Sequence, residues 1–394
     1  MARSLTSLWL KNLRALTKVQ KSQQKLFNSV TAAAKRAAKT ATKAASKPAV
    51  KIAKPTKLAT KTVTRPTRKA VVQAKSVSLR TPHAKPQPVP ALPGSWTRSY
   101  TDAPNGHRMA YWLYLPTRGP ANATKPLPLV VMLHGCTQTA PEFAQGTRMN
   151  ALAQRKGFAV LYPQQLVTVD ANRCWQWYER STHQGGNEAE QVADMLNHVV
   201  AKHALDATRV YLAGMSAGAA LAQIIALRYP YRVAAVGMHS GPVFGMADNR
   251  LQAFGVMQAG AGLGLLQSVQ PFVSTQSFPP MPAMLLHGDA DSVVRVVNQA
   301  QVAKQFCAVN RLTDANLSPA VHKAPARASG SNPRRAFQMQ DYSVDGKTRV
   351  TVCRITGLEH AWSGGDGALR FNDSAGPDAS ALLWAFFAKH RRSN

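Results

Sequence analysis

The feature that most constrains this chain is a serine enclosed by two glycines, at residues 214–218, with the sequence GMSAG. Residues 209–213 before it are rich in β-forming side chains, and residues 219–227 after it form an apolar run typical of a buried helix. A strained strand-to-helix turn exposes a serine for attack, and it needs nearly side-chain-free residues two positions before and after that serine. Ser216 is therefore predicted to be a nucleophile at the carboxyl edge of a sheet.

Charge divides the chain into two unequal parts. The 394 residues include 49 Lys and Arg but only 18 Asp and Glu. Of the basic residues, 21 fall within residues 1–90, and the first acidic residue of the chain is Asp102. We therefore expect a basic tail over residues 1–90 and a domain over residues 91–394 that can bury one large core. No apolar run of the sequence reaches the ~20 residues that span a bilayer.

The tail is predicted to have two parts. Residues 31–90 repeat Ala, Lys, Thr and Pro, which favours disorder. They are either a solvated linker or an adhesive segment for a granule, an anionic membrane or, without sequence preference, nucleic acid. Residues 4–30 space leucines and a tryptophan among lysines as a basic amphipathic helix does, for binding at an interface or for docking on its own domain. Lys11 interrupts the apolar stretch early, so no signal peptide is predicted.

From residue 96 onward, apolar strands alternate with helices. The predicted strands cover residues 108–115, 127–133, 157–163, 209–213, 233–238, 283–287 and 349–355, and the predicted helices cover 188–204 and 378–389. This alternation implies a mostly parallel sheet with helices on both faces. Together with the serine turn it indicates the α/β-hydrolase fold, whose active sites lie at the carboxyl ends of strands. Residues 243–281 and 312–336 are predicted insertions, the first as a cap or an apolar adhesive surface and the second as a basic, loop-like segment.

An activated serine needs a base and an orienting carboxylate, in the chain order serine, acid, histidine. The strand over residues 283–287 runs into a turn with two candidates, and the spacing favours Asp291 as the acid and Asp289 as a loop cap. The last strand runs into residues 356–362, where His360 holds the position of the base. An ordinary loop histidine is the alternative for His360.

The negative charge that develops on a substrate carbonyl oxygen needs two backbone N–H donors. One is expected from Ala217, directly after the nucleophile, and the other from Cys136, in the loop after the strand over residues 127–133. His134 is expected to shape this loop by hydrogen bonding, because it precedes the serine in the chain. No Cys or His spacing is typical of a metal site.

Four segments together resemble the polyhydroxybutyrate (PHB) depolymerase family of esterases: residues 134–138 (HGCTQ), 172–178 (NRCWQWY), 214–218 (GMSAG) and 357–362 (GLEHAW). The resemblance implies a serine esterase of the α/β-hydrolase fold with no cofactor, in which the residues identified above take the same roles. It favours poly(3-hydroxybutyrate) or its oligomers as substrate. The alternatives are a carboxylesterase for feruloyl or acetyl esters and, from another class, a granule- or polyanion-binding protein.

The resemblance also implies two disulfides, Cys136 with Cys174 and Cys307 with Cys353. The alternative is four reduced thiols, as expected in the cytosol. Paired cysteines and the family resemblance favour an extracellular location, whereas the lack of an evident signal peptide favours a cytoplasmic, granule-associated one. Both locations stay open at this point.

Aromatic residues lie close to the predicted site in the sequence. Trp175, Trp177, Tyr178 and Trp362 are predicted to lie near its mouth, where their faces suit an apolar polyester or a phenolic acyl group. Packing in the core is the alternative for these side chains.

Overall fold

The computed structural model of the protein describes residues 92–102, 108–119, 124–312, 319–327 and 334–392. The predicted basic tail of residues 1–90 and its amphipathic helix lie outside the described residues. No helix within the described ranges combines the length and the apolar character needed to cross a membrane.

Strands of the described domain form one large sheet and one small one. The strands are β1 (Ser95–Asp102), β2 (Arg108–Leu115), β3 (Leu129–Leu133), β4 (Ala159–Pro163), β5 (Val210–Met215), β6 (Ala235–His239), β7 (Ala283–Gly288), β8 (Ala320–Ala324), β9 (Phe337–Val344), β10 (Lys347–Ile355), β11 (Trp362–Ser363) and β12 (Asn372–Asp373). The large sheet has ten strands in the order β1-β2-β4-β3-β5-β6-β7-β10-β9-β8, and β11 pairs with β12 separately.

Eight helices lie in connections between strands, and a ninth follows the last strand of the described residues. They are α1 (Ala140–Thr147), α2 (Met149–Lys156), α3 (Arg180–His183), α4 (Glu188–Lys202), α5 (Ala217–Arg228), α6 (Arg250–Ala259), α7 (Gln270–Val273), α8 (Val297–Val309) and α9 (Ala379–Phe387). Apolar residues cover both faces of the sheet, with Leu129 and Val131 of β3 in one buried cluster and Val130 and Met132 in the other. This two-sided burial confirms the predicted sheet with helices on both faces and explains why the central strands are apolar throughout.

Six neighbouring strands in the middle of the sheet run parallel: β4, β3, β5, β6, β7 and β10. Their carboxyl ends therefore meet at one edge, which is where loops of different chain regions can come together. The serine turn, the acid loop and the histidine loop follow β5, β7 and β10 at this edge. The fold thus gathers residues that are far apart in the sequence.

The two predicted insertions contain regular structure. Residues 243–281 include α6 and α7, and residues 320–324 form β8, which pairs antiparallel with β9 at the end of the sheet. The expectation that residues 312–336 are loop-like is therefore wrong for this strand. Its side chains are exposed or half-buried, so the strand lacks the apolar pattern that marks buried strands in a sequence.

Candidate active site

Ser216 lies at a tight turn between β5 and α5, as the sequence predicts. Its backbone has φ 56° and ψ −122°, a conformation that side-chain-bearing residues rarely adopt. The glycines around it are required by close backbone contacts. A Cβ on Gly214 would lie 2.3 Å from the carbonyl oxygen of Gly218, and a Cβ on Gly218 would lie 2.1 Å from that of Leu133. The turn therefore tolerates neither side chain.

His360 and Asp291 form a hydrogen-bonded pair. Nδ1 of His360 lies 2.8 Å from Oδ2 of Asp291, and the backbone N–H groups of Val293 and Val294 each donate to Oδ1 at 2.9 Å. Burial opposes ionisation of this carboxyl, but the hydrogen bond and charge of His360, with smaller contributions from His287 and Val294, hold its pKa below the usual value. An ionised Asp291 fixes the proton of His360 on Nδ1 and leaves Nε2 as a base.

Asp289, the second aspartate of the turn, has a different partner. Its Oδ1 accepts a 2.6 Å hydrogen bond from the backbone N–H of Gly357, at the start of the loop that carries His360. The two loops touch closely, because a Cβ on Gly288 would lie 1.9 Å from the carbonyl oxygen of Leu358. Asp289 thus ties the acid loop to the histidine loop, while Asp291 pairs with the ring.

The loop after β3 lies directly beside the serine. A Cβ on Gly135 would be 3.5 Å from Cβ of Ser216, and the backbone N–H of Gly135 donates to Oε1 of Gln138 at 2.8 Å. Within the described residues, neither Cys136 N nor Ala217 N donates a hydrogen bond. Cys136 follows Gly135 on the loop, and Ala217 follows Ser216 at the first position of α5, so both amides lie next to the contact between Gly135 and Ser216.

His134 shapes this loop by hydrogen bonding, as predicted. Its buried ring hydrogen-bonds through Nδ1 to the carbonyl oxygen of Gly135 at 2.8 Å and through Nε2 to the backbone N–H of Gln165 at 3.1 Å. Burial lowers the pKa of His134 to about 4. The ring is therefore neutral at physiological pH, with Nδ1 donating and Nε2 accepting.

One of the two expected disulfides is present. Cys136 and Cys174 are bonded and join the loop after β3 to the loop after β4. The expected second disulfide is wrong, since Cys307 and Cys353 are free and buried. Cys307 on α8 packs in the cluster on one face of the sheet, whereas Cys353 of β10 packs in the cluster on the other face. The sheet separates the two sulfur atoms.

The tryptophans do not present exposed faces at the mouth of the site. Trp175 is fully buried and donates through Nε1 to the carbonyl oxygen of His134 at 3.0 Å. Trp362 is buried against the ring of His239, and its Nε1 donates to Oγ of Ser380 at 3.2 Å. Trp177 and Tyr178 are buried in the core cluster. The prediction of exposed aromatic faces is thus corrected to packing, which supports the loops that border the serine.

Sequence reasoning missed two further histidines at the same edge of the sheet. The carbonyl oxygen of His239 accepts from the backbone N–H of Ser216 at 3.0 Å, and its Nε2 accepts from Ser363 N at 3.3 Å. His287 hydrogen-bonds through Nε2 to the carbonyl oxygen of Val294 at 2.6 Å, with Asp291 Oδ2 at 3.5 Å. Burial lowers the pKa of both rings, that of His239 to about 3. Their place at the carboxyl ends of β6 and β7 was the signal available in the sequence.

Exposed apolar side chains occur on the connections that leave this edge of the sheet. They come from the connections after β4, β6 and β7: Val167, Val169, Leu251, Phe254, Leu263, Leu266, Val293 and Val297. We call these eight residues the apolar rim. Of the predicted adhesive segment 243–281, Val269 and Phe272 are instead buried. Helix α6 carries part of the rim and is fastened at both ends, by an Arg250–Asp170 ion pair and by hydrogen bonds from Gln258 to the carbonyls of Ser292 and Val293.

Comparison with known proteins adds a family and several relatives. The sequence profile of the family described as Esterase PHB depolymerase matches residues 109–326. Poly(3-hydroxyalkanoate) depolymerase C of Paucimonas lemoignei is 30% identical over 65% of this chain and 59% of its own length. A probable acetylxylan esterase A of Neosartorya fischeri is 29% identical over 52% of this chain and 56% of its own length. The chain thus spans less than two thirds of these curated relatives.

Two further proteins resemble parts of the domain. Feruloyl esterase B of Neurospora crassa is 35% identical over 35% of this chain and 45% of its own length. The solved structure of an acetyl xylan esterase from Aspergillus awamori superposes with a TM-score of 0.54 at 18% identity, covering 74% of this chain and 99% of that one. This structural likeness supports the fold.

Proposed function

This chain belongs to the Esterase PHB depolymerase family, and on that premise we propose that it is a serine esterase hydrolysing poly(3-hydroxybutyrate) or its oligomers. The observation that carries the proposal is the 2.8 Å pair of His360 and Asp291, on loops that follow β10 and β7 at the edge where Ser216 projects. A nucleophile, a base and a buried orienting carboxylate are the parts that acyl transfer needs.

The proposed reaction proceeds through an acyl-enzyme. His360 Nε2 takes the hydroxyl proton of Ser216 while Oγ bonds to the ester carbonyl carbon, and the carbonyl electron pair moves onto oxygen. The N–H groups of Cys136 and Ala217 hold that oxyanion. Collapse of the intermediate expels the alcohol, which receives the proton from His360. Water then attacks the acyl group by the same route and releases the carboxylic acid and free Ser216.

The apolar rim supports a polyester as the substrate. Leu251, Phe254 and Val167 are 82%, 60% and 52% exposed, on connections that follow β6 and β4 at the edge of the sheet that carries the proposed nucleophile. A contiguous exposed apolar patch marks an interaction site on a soluble protein, and we propose that the rim is such a patch. An aliphatic polymer surface offers apolar contact over many repeats, which suits a rim rather than a closed pocket. The name of the Paucimonas lemoignei relative is consistent with a polyalkanoate.

A carboxylesterase for small acyl esters is the second candidate. It is favoured by the acetylxylan and feruloyl esterases among the relatives. The discriminating experiment measures wild type and Ser216→Ala on p-nitrophenyl butyrate, an amorphous PHB suspension, acetylated xylan and methyl ferulate. Clearing of PHB by wild type alone supports the main proposal. Cleavage of xylan acetate or ferulate without clearing of PHB moves the assignment to the second candidate, and equal rates of the two proteins remove Ser216 from the mechanism.

We further propose that residues 91–394 form the catalytic domain and that the basic tail of residues 1–90 adheres to a granule, an anionic membrane or nucleic acid. The support is its composition, with 21 basic residues and no acidic ones. Deletion of residues 1–90 should leave cleavage of p-nitrophenyl butyrate intact and remove salt-sensitive binding to anionic vesicles. Binding that survives the deletion would rule out the tail as the adhesive element, and a full chain inactive on every ester would favour a binding protein.

A further inference from the structure

Glu188 is a buried carboxylate outside the proposed triad. It is the first residue of α4 and only 5% exposed. Its Oε2 accepts from the backbone N–H of Gln176 at 2.7 Å, and its Oε1 accepts from the side-chain amide of Gln165. Gln165 and Gln176 stand near the two ends of the loop that holds Cys174. Glu188 therefore clamps this loop from inside the protein.

The clamped loop is joined to the proposed oxyanion loop in two ways. Cys174 is disulfide-bonded to Cys136, and the amide of Gln165 that reaches Glu188 also donates to the carbonyl oxygen of Cys174 at 3.2 Å. The backbone N–H of Gln165 donates to the ring of His134, which in turn holds Gly135. Two routes of contact, through the disulfide and through His134, therefore connect Glu188 to the same backbone segment.

We propose that Glu188 is a positioning residue for the reaction, acting through Gln165 and Cys174 to hold the backbone N–H of Cys136 where the oxyanion forms. This inference rests on the proposed esterase function. Oxyanion donors are effective only when they are in place before the charge develops. A loosened loop therefore weakens binding of the transition state more than binding of the substrate.

Ionisation of Glu188 should control how well the loop is held. Both of its partners are N–H donors, so the ionised carboxylate satisfies both, whereas a protonated one would turn an O–H toward a donor. Burial raises the pKa of Glu188 to about 7, against the hydrogen bonds from Gln176 and Gln165 and with the nearby charges of Asp170 and Glu179 adding to the rise. The Asp170 charge is itself paired with Arg250 of α6. The loop should therefore be fully held only above neutral pH.

The test compares Glu188→Gln with Glu190→Gln, because Glu190 is an exposed residue in the same first turn of α4. On p-nitrophenyl butyrate we expect Glu188→Gln to lower kcat roughly 10- to 100-fold with KM nearly unchanged. Glu190→Gln should match wild type. As the pH falls, log kcat of wild type should decrease through the protonation of two groups, and log kcat of Glu188→Gln through the protonation of one.

A double-mutant cycle with Cys174→Ala tests the route. If Glu188 acts through the Cys174 loop, the double variant should lose little more than the worse single variant, since both changes release the same segment. A Glu188→Gln enzyme with wild-type kcat, or losses that multiply in the double variant, would overturn the proposal. So would an unchanged acid limb of the pH profile.

Folding of the variants is checked by near-ultraviolet circular dichroism and melting temperature. If Glu188→Gln does not fold, Glu188→Asp replaces it. This variant should have a lower kcat, but its pH profile should still show two groups that titrate on the acid side, because it keeps a carboxyl at position 188. Failure of both to fold assigns Glu188 to stability alone and also overturns the proposal. Failure of the esterase function itself would look different, because wild type would then cleave no ester or Ser216→Ala would be as active as wild type.

Discussion

Nδ1 of His360 lies 2.8 Å from Oδ2 of Asp291, although 69 positions separate the two residues in the chain. The contact exists because β7 and β10 are adjacent parallel strands in register, with Ile355 opposite Gly288, so that the loops after them leave the sheet side by side. Asp291 is held from its other oxygen by two backbone N–H groups, which leaves Oδ2 to orient the ring. The pair is therefore set by the sheet and by the acid loop together.

The first prediction separates the two aspartates of the acid loop. Asp291→Asn should lower kcat about 10⁴-fold, because an amide nitrogen facing His360 Nδ1 forces the wrong tautomer of the ring. Asp289→Asn should change kcat less than about threefold, since an Asn oxygen can still accept from Gly357 N. Steady-state kinetics on p-nitrophenyl butyrate decides between them. A larger loss from Asp289→Asn would exchange the two roles.

The strained backbone of Ser216 leads to a stability prediction. Ser216→Ala and Ser216→Gly should both be inactive, but the glycine variant should be more stable by on the order of 1 kcal/mol, because glycine adopts φ 56° without strain. Urea unfolding of the two variants, matched for lack of activity, measures the difference. An alanine variant as stable as the glycine variant would mean that the turn stores no strain.

Two glycines within helices should respond oppositely to alanine. Gly218→Ala should destabilise the protein by about 3 kcal/mol or more, because its Cβ would lie 2.1 Å from the carbonyl oxygen of Leu133, where backbone must move. Gly255→Ala in α6 meets nothing within 4 Å and should stabilise by about 1 kcal/mol. Thermal unfolding of both variants tests the packing of α5 against β3, with Gly255 as the helix-matched control. Equal effects would contradict it.

The neutral His134 should make the fold sensitive to acid. Its pKa is about 4 in the folded protein and about 6.5 when unfolded, so between these values the unfolded chain binds the proton and stability falls as the pH falls. From pH 7 to pH 5 the loss should be about 2 kcal/mol. Urea unfolding of wild type and His134→Gln at both pH values isolates the contribution of His134, since the free energy of unfolding of the variant should decrease less between pH 7 and pH 5. Glu188 titrates in the opposite sense in this range, so the comparison uses the difference between the two proteins. Parallel losses would exclude His134 as the source.

The serine turn and the positions of the central strands along the chain could be predicted from the sequence because both depend on local patterns. Glycines 214 and 218 reflect backbone contacts that no side chain permits, and the apolar runs at β3, β5 and β7 reflect burial on both faces of a sheet. Strand β8 escaped prediction because its exposed side chains carry no such pattern. Its pairing with β9 depends on backbone hydrogen bonds, which leave no trace in residue type.

By itself the sequence determined the fold and the proposed nucleophile, acid and base, because turn geometry, periodicity and chain order are encoded in neighbouring residues. Only the tertiary structure decided which distant side chains meet. It confirmed the Cys136–Cys174 disulfide that the family resemblance implies, but it left Cys307 and Cys353 on opposite faces of the sheet. It buried Trp175 and Trp362 as loop supports and brought Glu188 against Gln165 and Gln176. These outcomes depend on the direction in which each side chain leaves its strand or helix and on which distant residues the fold packs against it. Composition and spacing along the chain do not encode those distant contacts.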